Sequence, residues 1–430
     1  MPFYSSYFPY TLLPIVLVGV YFLIEKHLTK PWMRWTWWTV SILIVVFAGW
    51  QASHEQYWYD FFKGYYHAGR KIQRNIDVLY DESCYGYVNY PLLAYIFIPF
   101  GNLPKELAGS LFFIASYVSV LPLAYWLIRF TDLKGTRRFI LLGLLALSGP
   151  LDYGIWLGNV THMILLVILL ALFLLKQGRE LVTGILLGIV GTIKIPLIIP
   201  SGYFFLRSRW KVVTGGLAVV VILTVLSLQI IPFETNRIWL DRCILSVAGH
   251  PIPAYNNQSV VGFLAREFMP GDLSWNPIAP TPAYQWTSTV ITFLLYFSAL
   301  VIIFLGRKLK WDSSLYILEF FIVLACSLLT SPISWTHYFV LLLAPAAFYL
   351  SLGTTIPHKL WMNVLFGVSM ILISVPINLT TMLFERTGEA IFLSMHFIGA
   401  ALFYVFLLAV WVFTYQQLRS KDSQAAQTGL

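Results

Sequence analysis

Long apolar runs separated by short polar intervals extend from one end of this chain to the other. They fall near residues 10–24, 35–50, 106–128, 138–150, 160–175, 181–194, 195–206, 211–231, 286–305, 313–330, 336–350, 360–376 and 392–414. A straight crossing of a bilayer needs about 20 residues, so 138–150, 181–194 and 195–206 are short for one. Gly184, Gly188, Gly191, Pro196 and Pro200 punctuate the last two, which predicts broken or re-entrant helices. Such backbone is tolerated only where protein or a water-filled cavity satisfies it. The pattern predicts an all-α membrane protein, a polytopic bundle of about 11–13 spans forming one domain over residues 1–430. Two polar intervals are longer than the rest, 51–90 and 232–284, both rich in Trp, Tyr and Pro. No small-residue cleavage site follows 10–24, so that run reads as a short spanning or anchoring helix.

Composition removes the soluble alternative. Hydrophobic residues make up 58% of the chain and charged ones 11%, with a mean hydropathy of +0.74; soluble domains carry about 25% charged residues. The net charge of +9 raises the question of a nucleic-acid partner, and its distribution answers it. The intervals alternate: one set holds 18 basic and 5 acidic residues, the other 9 and 13. That is the positive-inside asymmetry of a multi-pass protein, so the cations report topology and no nucleic acid is expected. The assignment puts the N-terminus and both long intervals outside and the C-terminus inside. The loops around Arg137, Arg209 and Lys308 then face the cytoplasm. Lys194 and Glu319 are left within apolar runs. A charge there is a functional hypothesis, against which stands snorkelling of the long Lys stem; Glu319 reads as a buried structural partner.

Unusual chemistry gathers in the outer set. In residues 56–70, Trp58, Phe61, Phe62, Tyr65 and Tyr66 form one stripe at helical spacing. Asp60 falls on the opposite face beside Gln56, Lys63, His67 and Arg70. Such a stripe suits a helix lying in the membrane interface, and the plain reading of its polar face is solvation. Tyr85–Pro91 follows, where Tyr also fits the aromatic belt. Asn256-Asn257-Gln258-Ser259 and Ser331–Tyr338 form two further clusters. Asn159, Asn257 and Asn378 each begin a glycosylation tripeptide, a pattern that arises often by chance. No phosphate-binding Gly-rich loop, no Asp-x-Asp and no metal spacing of His occurs, so neither metal nor cofactor is expected. Cys84 and Cys243 both lie in outer intervals, where a disulfide would persist in an oxidising compartment.

These clusters, in this order, resemble glycosyltransferase family 87, membrane enzymes of the C type that use polyprenyl-phosphate sugars. The residues carrying the resemblance are Asp60-Phe61-Phe62, Tyr65–Arg70, Asp77–Tyr80 and Tyr87–Leu92. Gly158-Asn159-Val160-Thr161, Ile193–Pro196 with Arg207–Trp210, Asn257-Gln258-Ser259 with Gly262, and Ser331–Tyr338 complete it, over roughly residues 55–350. Family members usually show Gly-Gln-Val-Asn where this chain has Gly158–Thr161.

The resemblance implies a transferase in the plasma membrane with its site on the outer face. It moves a hexose, mannose first and arabinofuranose as the alternative, from a polyprenyl-phosphate donor to a lipid or glycan acceptor. Asp60 is then the general base, with Asp77, Asp81 and Glu82 as alternatives. Lys63 and His67 would tune it. His337, Lys194, Arg70, Tyr90, Asn159 and Trp335 are the donor-binding candidates, and His67, Asn257 and Gln258 those for the acceptor. One base without a second nucleophile implies direct displacement with inversion. A transporter is the rival reading. Transporters usually place broken helices and charges near the midplane of pseudo-symmetric halves, whereas these clusters favour one face.

Overall fold

The computed structural model describes residues 8–53, 58–80, 86–247, 249–269, 273–307, 313–352 and 359–428. Its principal helices are α1 (Phe8–Ile24), α2 (Pro31–Ser53), α3 (His67–Arg74), α4 (Lys105–Val118), α5 (Val120–Thr131), α6 (Thr136–Ala146), α7 (Gly149–Leu157), α8 (Thr161–Lys176) and α9 (Glu180–Ile193). They continue as α10 (Ile198–Leu206), α11 (Trp210–Ile230), α12 (Val260–Phe268), α13 (Pro282–Gly306), α14 (Ser313–Thr330), α15 (Leu343–Leu352), α16 (Leu360–Ser374), α17 (Ile377–Thr387) and α18 (Met395–Thr428). The only β pairing among the described residues is an isolated bridge between Asn257 and Trp335. The chain is an all-α polytopic membrane bundle, as its apolar pattern predicts.

Among the described residues, five helices are long and apolar enough to cross a bilayer: α2, the run of α4 and α5, α11, α13, and the stretch entering α18. Two bent pairs reach that length together, α6 with α7 at 44° and α16 with α17 at 84°. The remaining apolar helices have 10–17 residues, so much of the expected span count is made of short and broken elements. The breaks have local causes. At Pro196 the missing N–H and the ring forbid continuation of α9, and Lys194 turns extended (φ −133°, ψ 97°). The freed Pro196 carbonyl accepts from the Ser327 hydroxyl. Pro376 ends α16 in the same way, and His396 Nε2 donates to the Val375 carbonyl at 2.8 Å. Both breaks are thus satisfied inside protein, as lipid requires.

Small residues set a tight helix contact. Gly184 of α9 faces α11 so closely that a Cβ there would lie 2.0 Å from the Val212 carbonyl oxygen. Dispersion between close backbones drives such pairs where lipid removes the hydrophobic contrast. Gly184→Ala is therefore expected to cost about 1–3 kcal/mol through overpacking. A detergent melting temperature equal to that of the parent protein would refute this contact.

One end of the bundle is basic. Arg209 pairs with Glu180 at 2.9 Å. Glu319, fully buried, accepts from the Tyr203 hydroxyl at 2.7 Å and Trp411 Nε1 at 3.3 Å. It also pairs with Arg207 at 3.4 Å, so it is the structural partner the sequence implies. Lys308 lies outside the described residues. The 16 residues of α8 run about 24 Å at 1.5 Å per residue, from this end to Thr161. At that far end the polar motifs meet.

Candidate active site

The turn between α7 and α8 carries Asn159 to its partners. Ser148 caps the start of α7 through Leu151 N–H at 3.3 Å. Gly158 closes it in the left-handed region (φ +72°), with Asn159 N–H donating to the Gly154 carbonyl at 2.8 Å. A Cβ at Gly158 would lie 2.7 Å from Phe61 Cβ. Glycine therefore supplies both the φ and the space that bring this turn against the residue after Asp60.

Asn159 links three segments that are far apart in sequence. Its Nδ2 donates to Asp60 Oδ2 at 2.9 Å, and its Oδ1 accepts from Lys194 Nζ at 3.3 Å. The same Oδ1 accepts from the Thr161 amide at 3.2 Å and hydroxyl at 2.7 Å, which fixes the orientation of the side-chain amide. Thr161, one of the two departures from the usual motif, thus holds the other. Asp60 is half-buried, and burial raises its carboxyl pKa from its ordinary value. The Asn159 hydrogen bond and the Lys194 charge act in the opposite direction. Asp60 Oδ1 remains for a ligand hydroxyl.

Lys194 is buried, with Nζ 4.1 Å from the centroid of the Tyr338 ring. Beside Tyr338 stands His337, 2% exposed, with neither ring nitrogen hydrogen-bonded. A buried imidazole without a partner is costly. His162 and His396, also buried, differ: each has Nε2 within hydrogen-bond distance of protein groups.

The aromatic stripe is placed differently from expectation. Trp58, Phe61, Tyr65 and Tyr66 are buried in protein rather than spread on lipid. Phe61 stacks on Phe112 at 4.3 Å and Tyr65 on Phe97 at 4.5 Å. Residues Phe61–Tyr66 form a wide π-type turn before α3, so a regular 100° wheel misplaces their neighbours. His67 lies exposed on α3, its ring edge-on to Tyr66. Partial desolvation against the helix lowers its pKa, as do the nearby charges of Arg70, Lys71 and Lys105. Lys63 sits over the Tyr59 ring at 4.6 Å, and Arg70 over Tyr66 at 5.7 Å. The tuning of Asp60 expected from Lys63 and His67 is thus replaced by that of Asn159 and Lys194. Gln56, Asp81 and Glu82 lie outside the described residues; Asp77 is exposed.

The second long polar interval carries Asn257 and Gln258. Asn257 is fully buried and its amide is committed to backbone. Nδ2 donates to the carbonyls of Ile252 at 3.0 Å and Pro332 at 3.2 Å, and Oδ1 accepts from Ser334 N–H at 3.0 Å. Gln258, also fully buried, donates to the carbonyls of Tyr255 at 2.9 Å and Leu393 at 2.7 Å and accepts from Phe397 N–H at 3.1 Å. These bonds engage both side-chain amides within the protein. Those of Asn257 pin the Ser331–Tyr338 segment, where Trp335 forms the backbone bridge to Asn257. Asn257→Ala takes their Asn257 partner from two donors, Ser334 N–H and the Ser259 hydroxyl, and two carbonyl acceptors, about 1–3 kcal/mol for each group that water cannot reach. It is expected to lower the melting temperature; a raised acceptor KM at unchanged stability would instead make it a ligand contact.

Tyr90 donates from its hydroxyl to the Leu223 carbonyl of α11 at 3.4 Å, and its ring lies 5.0 Å from Trp239 of the second long interval. Cys243 is disulfide-bonded and Cys326 is free and buried; Cys84 lies outside the described residues. Sequence reading missed Arg266, which is buried and donates to the carbonyls of Ala254 at 2.8 Å and Asn257 at 2.9 Å. It also missed the half-buried Asp152, whose Oδ1 is buried without a hydrogen-bond partner.

Among family models, that of glycosyltransferase family 87 matches residues 87–332. No curated protein and no solved structure matches the chain.

Proposed function

The chain belongs to glycosyltransferase family 87, and from that premise we propose that it transfers mannose from a polyprenyl-phosphate donor to a lipid or glycan acceptor. The reaction runs on the outer face of the plasma membrane, with inversion at the anomeric carbon. The observation that carries this reading is the Asp60–Asn159–Lys194 constellation, which joins a carboxylate to a buried cation through one amide.

In this reading Asp60 Oδ1 accepts the proton of the acceptor hydroxyl as that oxygen attacks the anomeric carbon. Asn159 holds Oδ2, fixing the carboxylate plane and keeping Lys194 from collapsing onto it. The bond from the anomeric carbon to the phosphate oxygen breaks, and negative charge grows on the leaving phosphate monoester. Lys194 and His337 answer that charge at close range, where low polarity strengthens it. A β-linked donor sugar gives an α-linked product, by analogy with inverting hydrolysis. Outside the cell nucleotide sugars are absent, so a lipid-carried donor reaching the outer ends of the helices meets the chemistry.

The decisive experiment reconstitutes the purified protein in nanodiscs with radiolabelled polyprenyl-phosphate mannose and extracted envelope lipids. Labelled product supports the assignment. Turnover only with the arabinofuranose donor reassigns the sugar, and no turnover with either refutes it. The pH profile adds a further expectation. Lys194 lowers the Asp60 pKa, so Lys194→Met should raise it and move the acid limb of kcat/KM to higher pH. An unmoved limb would separate Lys194 from the base.

A further inference from the structure

A small aromatic cluster stands apart from the main core at the same end of the bundle. Tyr153 and Leu157 of α7 pack there with Ile377 of α17, joined by the half-buried Tyr59, Trp156 and Tyr255. Tyr59 immediately precedes Asp60, and Tyr255 lies within the electrostatic reach of the Asp60 carboxylate. Trp275, 43% exposed, is edge-on to Tyr255 at 5.5 Å and donates from Nε1 to Asn256 Oδ1 at 3.1 Å. Asn256 in turn donates to the Tyr153 hydroxyl at 3.3 Å, so the exposed ring is fixed through a hydrogen-bonded chain.

The same patch carries Asp152. It lies one turn before Trp156, and residues four apart share a helix face; both are half-buried, unlike their immediate neighbours on α7. Asp152 Oδ1 is buried without a hydrogen-bond partner, although the desolvation of such an oxygen costs about 1–3 kcal/mol if nothing donates to it. Partly open aromatic faces beside a carboxyl oxygen that has no partner suit a pyranose. Its C–H face covers rings, and its hydroxyls are donors. Rings and a few placed polar groups are the usual lining of a small-molecule site.

We propose that Asp152, Trp156, Tyr255 and Trp275 form a saccharide subsite that holds the sugar of the acceptor and presents its hydroxyl to Asp60. The inference rests on the transfer reaction proposed above, in that the bound sugar is the acceptor. It goes further by making that acceptor a glycan and assigning the residues that select it. Asp152 accepts hydrogen bonds from ring hydroxyls, and the aromatic rings set the height of the sugar relative to the Asp60 carboxylate.

The test compares a mannose disaccharide on a short alkyl tail with the same tail bearing only a hydroxyl. Equilibrium binding to the full chain in nanodiscs is followed by tryptophan fluorescence, and acceptor KM by transfer. The parent protein is expected to bind the disaccharide and not the plain alcohol. Asp152→Asn and Trp275→Ala are expected to weaken binding and raise KM about tenfold or more, as lost sugar contacts do. Trp275→Phe should recover most of the affinity. Trp275 is exposed, so its variants keep the fold if Asp152→Asn does not. Equal binding of disaccharide and alcohol, or disaccharide affinity unchanged in Trp275→Ala, overturns the subsite. A parent protein that binds the disaccharide but consumes no donor refutes the reaction and leaves the subsite standing.

Discussion

Asp60→Asn is expected to reduce transfer by about 10²–10⁴-fold, the usual contribution of a general base, while leaving donor affinity nearly intact. The change removes the proton acceptor at almost constant shape. It also disturbs little else, because the asparagine side chain retains an oxygen to accept from Asn159 Nδ2, which now lies 2.9 Å from Oδ2. The melting temperature should therefore stay close to that of the parent. Asp60→Ala differs: it leaves Asn159 Nδ2 without its acceptor and should add a loss of stability. Asp77 is the internal comparison, since its exposed side chain is outside this hydrogen-bonded constellation. Near-normal transfer by Asp60→Asn, with donor and acceptor in the same detergent, would remove Asp60 from the mechanism.

The part of this arrangement legible in the sequence follows from its causes. Spans, breaks and charge asymmetry are written in local composition, so the bundle and the interruption at Lys194 could be read directly. Asp60, Asn159, Lys194 and His337 stood out as polar exceptions in recurring aromatic or apolar settings, and the structure brings them together. The aromatic stripe misled because periodicity reports which side chains share a face and not what covers it. Here the cover is Phe97 and Phe112, supplied by later segments. Asn257 and Gln258 carry the same polar signal as a ligand contact, and their bonds to Ile252, Pro332 and Leu393 become visible only in the folded chain. Arg266 and Asp152 gave no signal at all. A buried cation satisfied by carbonyls and a carboxylate with one orphaned oxygen look ordinary until the chain is folded.

His337→Ala should separate function from stability more cleanly than any other change in the protein. A structural histidine is recognisable by what its removal strands: His396→Ala would leave the Val375 carbonyl unpaired at the break between α16 and α17. That loss should lower the melting temperature, with donor affinity retained in the fraction that folds. His337 strands nothing, because neither of its ring nitrogens has a hydrogen-bond partner in the protein. Its removal leaves a void between Tyr153 and Tyr338, whose ring centroids lie 6.3 and 4.9 Å from its own. As a donor to the leaving phosphate it should contribute about 10²–10³-fold to turnover. The expected result is a fall of that size in kcat with a smaller change in melting temperature than His396→Ala produces. Lys194→Met should weaken donor binding as well, since it removes a cation already present before the charge develops. If His337→Ala turns over normally, or loses activity only in proportion to folded protein, the phosphate is held elsewhere and the orphaned imidazole has a different partner.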